Sequence, residues 1–303
     1  MTPDSDILID RRRLARRLAL WRIVAIVALA AVAVVAVGRF DTITGRDHLA
    51  RVTIDGLIVD DPDVIAALVE VAEDSRAKAL IVRINSPGGT FVGGETLYRA
   101  LREVAEGKPV VAVLGTVATS AAYMAAVATD RIFARQGTIT GSIGVMMQTA
   151  DMTGLLDKLG ISAEAIKSGP LKAAPSPLEP LTDEVRAATQ AIVDDMHALF
   201  TDMVAERRGF DAARARRLAD GRVYSGRQAL EHDLIDAIGG ETEARAWLVA
   251  ERGLPEGLPV SDVDTEPEAG KWFPGVRSLT RNMLLSERLT LDGLISVWHL
   301  GSR

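Results

Sequence analysis

The sequence predicts an α/β domain built on parallel strands, set behind a single membrane-spanning helix. Two observations carry this. Short runs that are nearly all apolar alternate with segments whose apolar residues recur at helical spacing, as buried parallel strands between helices require. Ahead of them, a cluster of arginines opens onto an apolar run long enough to span a bilayer. A third observation bounds the domain: each distinctive motif occurs once, and there is no internal repeat.

At the N-terminus, Arg11, Arg12, Arg13, Arg16 and Arg17 precede an apolar run from Leu18 to Gly38 that only Arg22 interrupts. Such a run reaches the roughly 20 residues of a spanning helix. Arg22 can snorkel to the headgroups, and the basic flank puts that end in the cytoplasm. The reading is a cytoplasmic segment 1–17, a transmembrane anchor 18–38 and a connector 39–49, with the rest of the chain on the far side of the cytoplasmic membrane. A cleavable signal peptide competes, because Ala36-Val-Gly38 offers small residues at a leader-peptidase spacing. The apolar run exceeds the roughly 7–15 residues of an ordinary signal core, which favours an uncleaved anchor.

The elements then follow in order. Ala50–Ile54 and Ala79–Ile84 read as strands, and Pro62–Ser75 between them has Val64, Ala67, Leu68 and Val71 on one helical face. Gly93–Val104 reads as a helix, Pro109–Leu114 as a strand and the alanine-rich Thr119–Ala128 as a helix. Arg131–Ala134, a glycine-rich stretch 137–144 and an apolar Ile143–Met147 come next, then a short helix Asp151–Leu159 and a strand Ala163–Ile166. Thr182–Arg208 reads as a long helix with Thr182 as its cap, followed by shorter helices at Phe210–Leu218, Ser225–Glu231 and Glu241–Val249. The globular domain is placed at 50–252. Proline, glycine and acids mark 253–274 as a linker, and 275–303 as an amphipathic helical tail with Leu284, Leu285, Leu289, Leu294 and Trp298.

Composition excludes several functions. A net charge of −6 and a pI near 5.4 argue against nucleic-acid binding. Without cysteine there is no disulfide, thiolate metal site or cysteine nucleophile, and no metal or cofactor motif is read.

Three segments hold candidate chemistry: Ile84-Asn-Ser-Pro-Gly-Gly89, Val117-Ala-Thr-Ser120-Ala-Ala-Tyr123 and Ile166-Lys-Ser-Gly169-Pro-Leu-Lys172. A serine where a helix opens faces backbone N–H groups that favour negative charge, and a second donor from the Gly88-Gly89 turn would complete an oxyanion hole. The plainer alternative makes Thr119 or Ser120 an ordinary helix cap and Pro87-Gly88-Gly89 an ordinary tight turn. Activating serine needs a base. The histidines are His48, His197, His232 and His299, none of them between the strand region and the long helix, so a Ser-His-Asp arrangement is disfavoured. Lysine is a substitute when desolvation strips its proton, and Lys158, Lys167 and Lys172 are the downstream candidates.

From about Arg51 to Leu248 the chain resembles the signal peptide peptidase A family, Ser-Lys proteases of the Clp/crotonase superfamily, in its short single-repeat form. The resemblance rests on the ordered series Ile84-Asn-Ser-Pro-Gly-Gly89, Ala118-Thr-Ser-Ala-Ala-Tyr123, Thr138-Ile-Thr-Gly-Ser-Ile-Gly-Val145, Ile166-Lys-Ser-Gly-Pro-Leu-Lys172 and Arg222-Val-Tyr-Ser-Gly226 with Leu234-Ile-Asp-Ala-Ile-Gly239. It implies a Clp/crotonase-like fold of ββα units, Ser120 as nucleophile and Lys172 as general base, with Lys167 off the family spacing. It further implies Gly89 and Ala121 as oxyanion donors, and Ser142 as the group that aims the lysine. Ala121 and Ala122 stand where many relatives carry glycine, which narrows the pocket while keeping the N–H. The resemblance also implies apolar peptide substrates such as cleaved signal peptides, and a homo-oligomer at the membrane whose lysine reaches the serine of a neighbouring copy. An inactive scaffold of the same fold and a crotonase-type acyl-CoA enzyme are the alternatives, the latter disfavoured outside the cytoplasm.

Overall fold

The computed structural model describes residues 46–265 continuously, with the strand 295–297 and a few positions between 21 and 29. Trp21, Arg22, Ile23, Ala25, Ile26 and Leu29 are helical, and the four large apolar side chains among them are exposed. Most of the expected anchor 18–38 lies outside the described residues, and among those residues no helix is long and apolar enough to cross a membrane.

Asp47–Arg303 forms a separate unit built on an eight-stranded sheet. Its elements run β1 (His48–Asp55), α1 (Pro62–Glu73), β2 (Ala77–Ser86), β3 (Gly88–Thr90), α2 (Phe91–Gly107), β4 (Val110–Thr119), α3 (Ala121–Val127), β5 (Arg131–Ala134) and β6 (Ile139–Gly141). They continue with α4 (Thr153–Lys158), α5 (Asp183–Arg208), α6 (Ala212–Leu218), β7 (Val223–Ser225), α7 (Gly226–Glu231), β8 (Ala237–Ile238), α8 (Glu241–Arg252), β9 (Val260–Asp262) and β10 (Ile295–Val297). The main path of the sheet is β7-β6-β4-β2-β1-β9, with β5 joining β4 to β8. All its pairings are parallel except β6 with β7.

The strands read as continuous apolar runs because both faces are covered. Along β2, Leu80, Val82 and Ile84 enter the main core with α1, α2, α3 and α5, while Ala79 and Ile81 face a second cluster with Ala244 and Leu248 of α8. β4 divides the same way, Val110, Ala112 and Leu114 against Val111 and Val113.

Three differences from the sequence reading follow from tertiary pairing. The stretch read as a linker contributes β9, because Leu49–Arg51 of β1 leave an open edge and Arg51 bonds Asp262 at 2.6 and 2.9 Å. Residues 163–166, expected as a strand, form none: every side chain there is exposed, and no neighbouring strand covers them. Within the tail expected to be helical, 295–297 are a strand paired antiparallel to β3, and the rest of 275–303 lies outside the described residues.

Candidate active site

Ser120 follows the last residue of β4, where the strand must turn into α3 without a loop. β4 pairs β5 through Val111–Leu114 and then, on the same edge, β6 through Val117–Thr119, so its C-terminal end is held by strands on both sides. The turn is made at Ser120 itself, with φ 59° and ψ −120°. A non-glycine residue rarely adopts that conformation, which costs about 1–3 kcal/mol and persists only where the surroundings fix it. Here they do. Ser120 N–H donates to Gly141 O at 2.8 Å, and Ser120 O accepts from Met124 N at 2.9 Å.

The plain capping alternative is not what forms. Ser120 occupies the cap position of α3, but its side chain makes no capping bond. Thr119 Oγ1 donates instead to Pro87 O at 3.0 Å, tying the serine turn to the glycine turn. Two further threonines, unremarked in the sequence reading, complete the frame: Thr140 Oγ1 donates to Ala118 O and Thr138 Oγ1 to Gly115 O, each at 2.7 Å. Asn85 Oδ1 accepts from Thr116 N at 3.1 Å, filling the register shift between β2 and β4. Period-two threonines ending a strand motif were the available signal.

α3 is alanine-rich because it is enclosed: all of its side chains are buried. A Cβ added to Gly94 of α2 would lie 2.9 Å from Ala121 Cβ, so the small pair lets the two helices close. Tyr123 donates from its hydroxyl to Leu234 O at 2.7 Å, and burial pushes the phenol's pKa far up. Ala121 keeps its backbone N–H at the first position of α3, where no intrahelical acceptor exists.

Gly89 is required by a close approach rather than by its φ. A Cβ there would sit 1.7 Å from Ile58 O. Ile58 N–H donates to Gly88 O at 2.9 Å and Ile58 O accepts from Thr90 N at 2.8 Å. The N–H and C=O of Gly89, alternate along the strand, therefore face the opposite edge. Ser142 follows Gly141, the partner of Thr119 in register, and takes φ 50° with its N–H on Arg222 O at 2.8 Å. Register and hydrogen bonds thus gather Ser120, Ala121, Gly89 and Ser142 at one corner of the sheet.

Lys172 is placed differently. It is exposed, in a turn where its N–H donates to Gly169 O at 3.2 Å, on the irregular segment between α4 and α5. Its ammonium has no ion pair among the described residues, whereas Lys167, the rival base, is committed to Glu179. The dry setting expected for Lys172 is not supplied by its own segment: Ile166, Leu171 and Leu178 around it are themselves exposed.

A buried serine held in a strained turn beside a glycine-bearing strand, on a parallel α/β sheet, defines the class as a serine-type protease. The profile of Peptidase family S49 matches residues 102–254, and the chain belongs to that family. A protein of Synechocystis sp. provisionally described as a protease is 36% identical over 78% of this chain and 83% of its own length. One of Enterococcus faecium, provisionally described as a signal peptide peptidase, is 30% identical over 73% and 67%. The chloroplastic serine protease SPPA of Arabidopsis thaliana is 31% identical over 83% of this chain, which spans 39% of that longer protein. Among solved structures, a ClpP1 variant from Listeria monocytogenes aligns at 15% identity and a TM-score of 0.42, covering 63% of this chain and 91% of that one, a likeness too loose to fix topology.

Proposed function

We propose that this protein is a membrane-anchored serine endopeptidase that cuts apolar peptides, such as signal peptides already released by a leader peptidase, with Ser120 as nucleophile and Lys172 of a neighbouring copy as base. The observation that carries the reading is the contrast within one chain: a serine locked by its backbone beside Gly89, and a lysine exposed among apolar side chains. An ammonium in water holds its proton near neutral pH and becomes a base only when desolvated. Packing of the 144–199 face on another copy would bury both the apolar groups and the lysine. The single motif set, the exposed helical Trp21, Ile23, Ile26 and Leu29, and the arginines before them support assembly at a membrane with the N-terminus in the cytoplasm and the protease domain outside.

In this mechanism the neutral Lys172 amine removes the Ser120 proton as Oγ adds to the scissile carbonyl carbon. The resulting oxyanion accepts hydrogen bonds from the N–H groups of Gly89 and Ala121. Lys172 returns the proton to the departing amine nitrogen, the C–N bond breaks, and an acyl-Ser120 ester remains. Water, deprotonated by the same amine, then releases the acid and restores the serine. Ser142 aims the amine. In detergent-solubilised protein, Ser120→Ala and Lys172→Ala should each lower hydrolysis of an apolar peptide by about 10³-fold or more with unchanged elution volume. Normal turnover in Lys172→Ala would remove the lysine from the chemistry.

A further inference from the structure

The edge of β3 that faces away from Ile58 is taken by the protein's own C-terminal strand. β10 lies antiparallel on β3 in the register Ile295↔Thr90, Ser296↔Gly89 and Val297↔Gly88. Because Gly88 O and Thr90 N–H are both spent on Ile58, the polar groups of Gly89 point toward β10. An antiparallel partner opposite such a residue exchanges both backbone bonds with it. The backbone of residue 296 therefore addresses the N–H that the reading above gives to the oxyanion. Adding an extended strand to an open sheet edge is also how many domains hold peptides. The sequence around the strand, Leu294-Ile-Ser-Val-Trp298, is of the apolar kind the enzyme is read to cut.

We propose that Ile295–Val297 is a built-in peptide ligand: it occupies the substrate edge of β3 in cis, so an incoming peptide binds antiparallel along Gly88–Thr90 only after displacing the chain's own tail. This rests on the assignment of Gly89 to the oxyanion site. Occupancy by the tail lowers the fraction of competent sites and so raises the apparent KM while leaving kcat alone.

The test uses the full chain carrying Ser120→Ala, which cannot cut, and a fluorescein-labelled peptide of residues 289–301 added in trans. Ser296→Pro removes the N–H that pairs with Gly89. The double variant should bind the labelled peptide at least about tenfold more tightly than Ser120→Ala alone, and Ser296→Pro in the active chain should lower KM by a similar factor at unchanged kcat. A second variant ending at Arg281 gives the same result without a proline. Equal affinities and equal KM values in all of these overturn the proposal. Chains that bind the peptide with the expected difference yet hydrolyse nothing would instead defeat the proposed activity and leave the tail strand standing.

Discussion

Along α3 every side chain is buried, whereas α4, on the next stretch of chain, buries none. The same contrast runs through α5, where only Phe200, Thr201 and Val204 in the C-terminal half are buried although the helix spans 26 residues. Ser120 thus stands on a scaffold finished within one chain, and Lys172 on a face whose apolar groups have no cover of their own. A single copy spends its folding energy on the nucleophile and the oxyanion donors. The base is left to be set by whatever the exposed face packs against.

That division predicts a large effect on mixing. Ser120→Ala and Lys172→Ala chains, each inactive alone, should regain about a quarter of wild-type turnover when co-assembled at equal amounts, the share of contacts that pair an intact serine with an intact lysine. No recovery in assemblies shown to contain both chains would place the two residues in the same copy. Next in size is a pair of glycines, one from each region. Gly89→Ala forces a methyl against Ile58 O and should cost about 2–4 kcal/mol in denaturant unfolding, with kcat/KM down about 10²-fold. Gly169→Ala, in the Lys172 segment, has open space around its Cβ and should stay within about 0.5 kcal/mol of wild type.

The two regions also differed in how far the sequence disclosed them. The buried half was legible because its physics is local and periodic: β1, β2 and β4 alternate between two cores, and Thr182 caps α5 by accepting from Val185 N as its position predicts. Ser120 was ambiguous for a sound reason, since a serine before a helix is usually a cap. Only the path of β4 between β2 and β6 shows that its backbone is held at positive φ while Thr119 spends its hydroxyl on Pro87. Residues 163–166 looked like a strand by composition, but a strand needs a partner, and none is near. β9 was hidden by the opposite effect: its pairing with β1 and the Arg51–Asp262 bond span 211 positions, so the surrounding prolines and glycines read as a linker. β10 was masked by apolar spacing that also suits a helix.

A smaller effect would sharpen the role of the exposed segment. Lys167 and Glu179 form a partly buried ion pair that closes the chain around Lys172 between them. Glu179→Gln should lower kcat/KM by about fivefold through looser placement of Lys172, while global stability changes by less than about 1 kcal/mol, as for other partly exposed pairs. If Lys172 were positioned by its own turn alone, activity would be unaffected. A loss of activity with an equal loss of assembly would instead assign the pair to the face between copies.

The smallest effect concerns the rim of the finished half and is visible only in acid. Asp74, the C-terminal cap of α1, accepts from the backbone N–H of Arg76 at 2.9 Å, which holds its carboxyl below the usual carboxylate range, with the Arg76 guanidinium at 3.2 Å and His48 Nε2 at 3.8 Å adding to it. A folded pKa below the unfolded one gives stability that is fully present above about pH 4 and is lost as pH falls through the folded value. The carboxyl is 29% exposed, so water screens the pair and the contribution is held to about 0.5 kcal/mol. Asp74→Asn should therefore melt about 1–2 °C below wild type at pH 6, with the gap closing as the pH is taken down to 3. A gap that stays constant across that range would show that the aspartate acts through its geometry at the helix end and not through its charge.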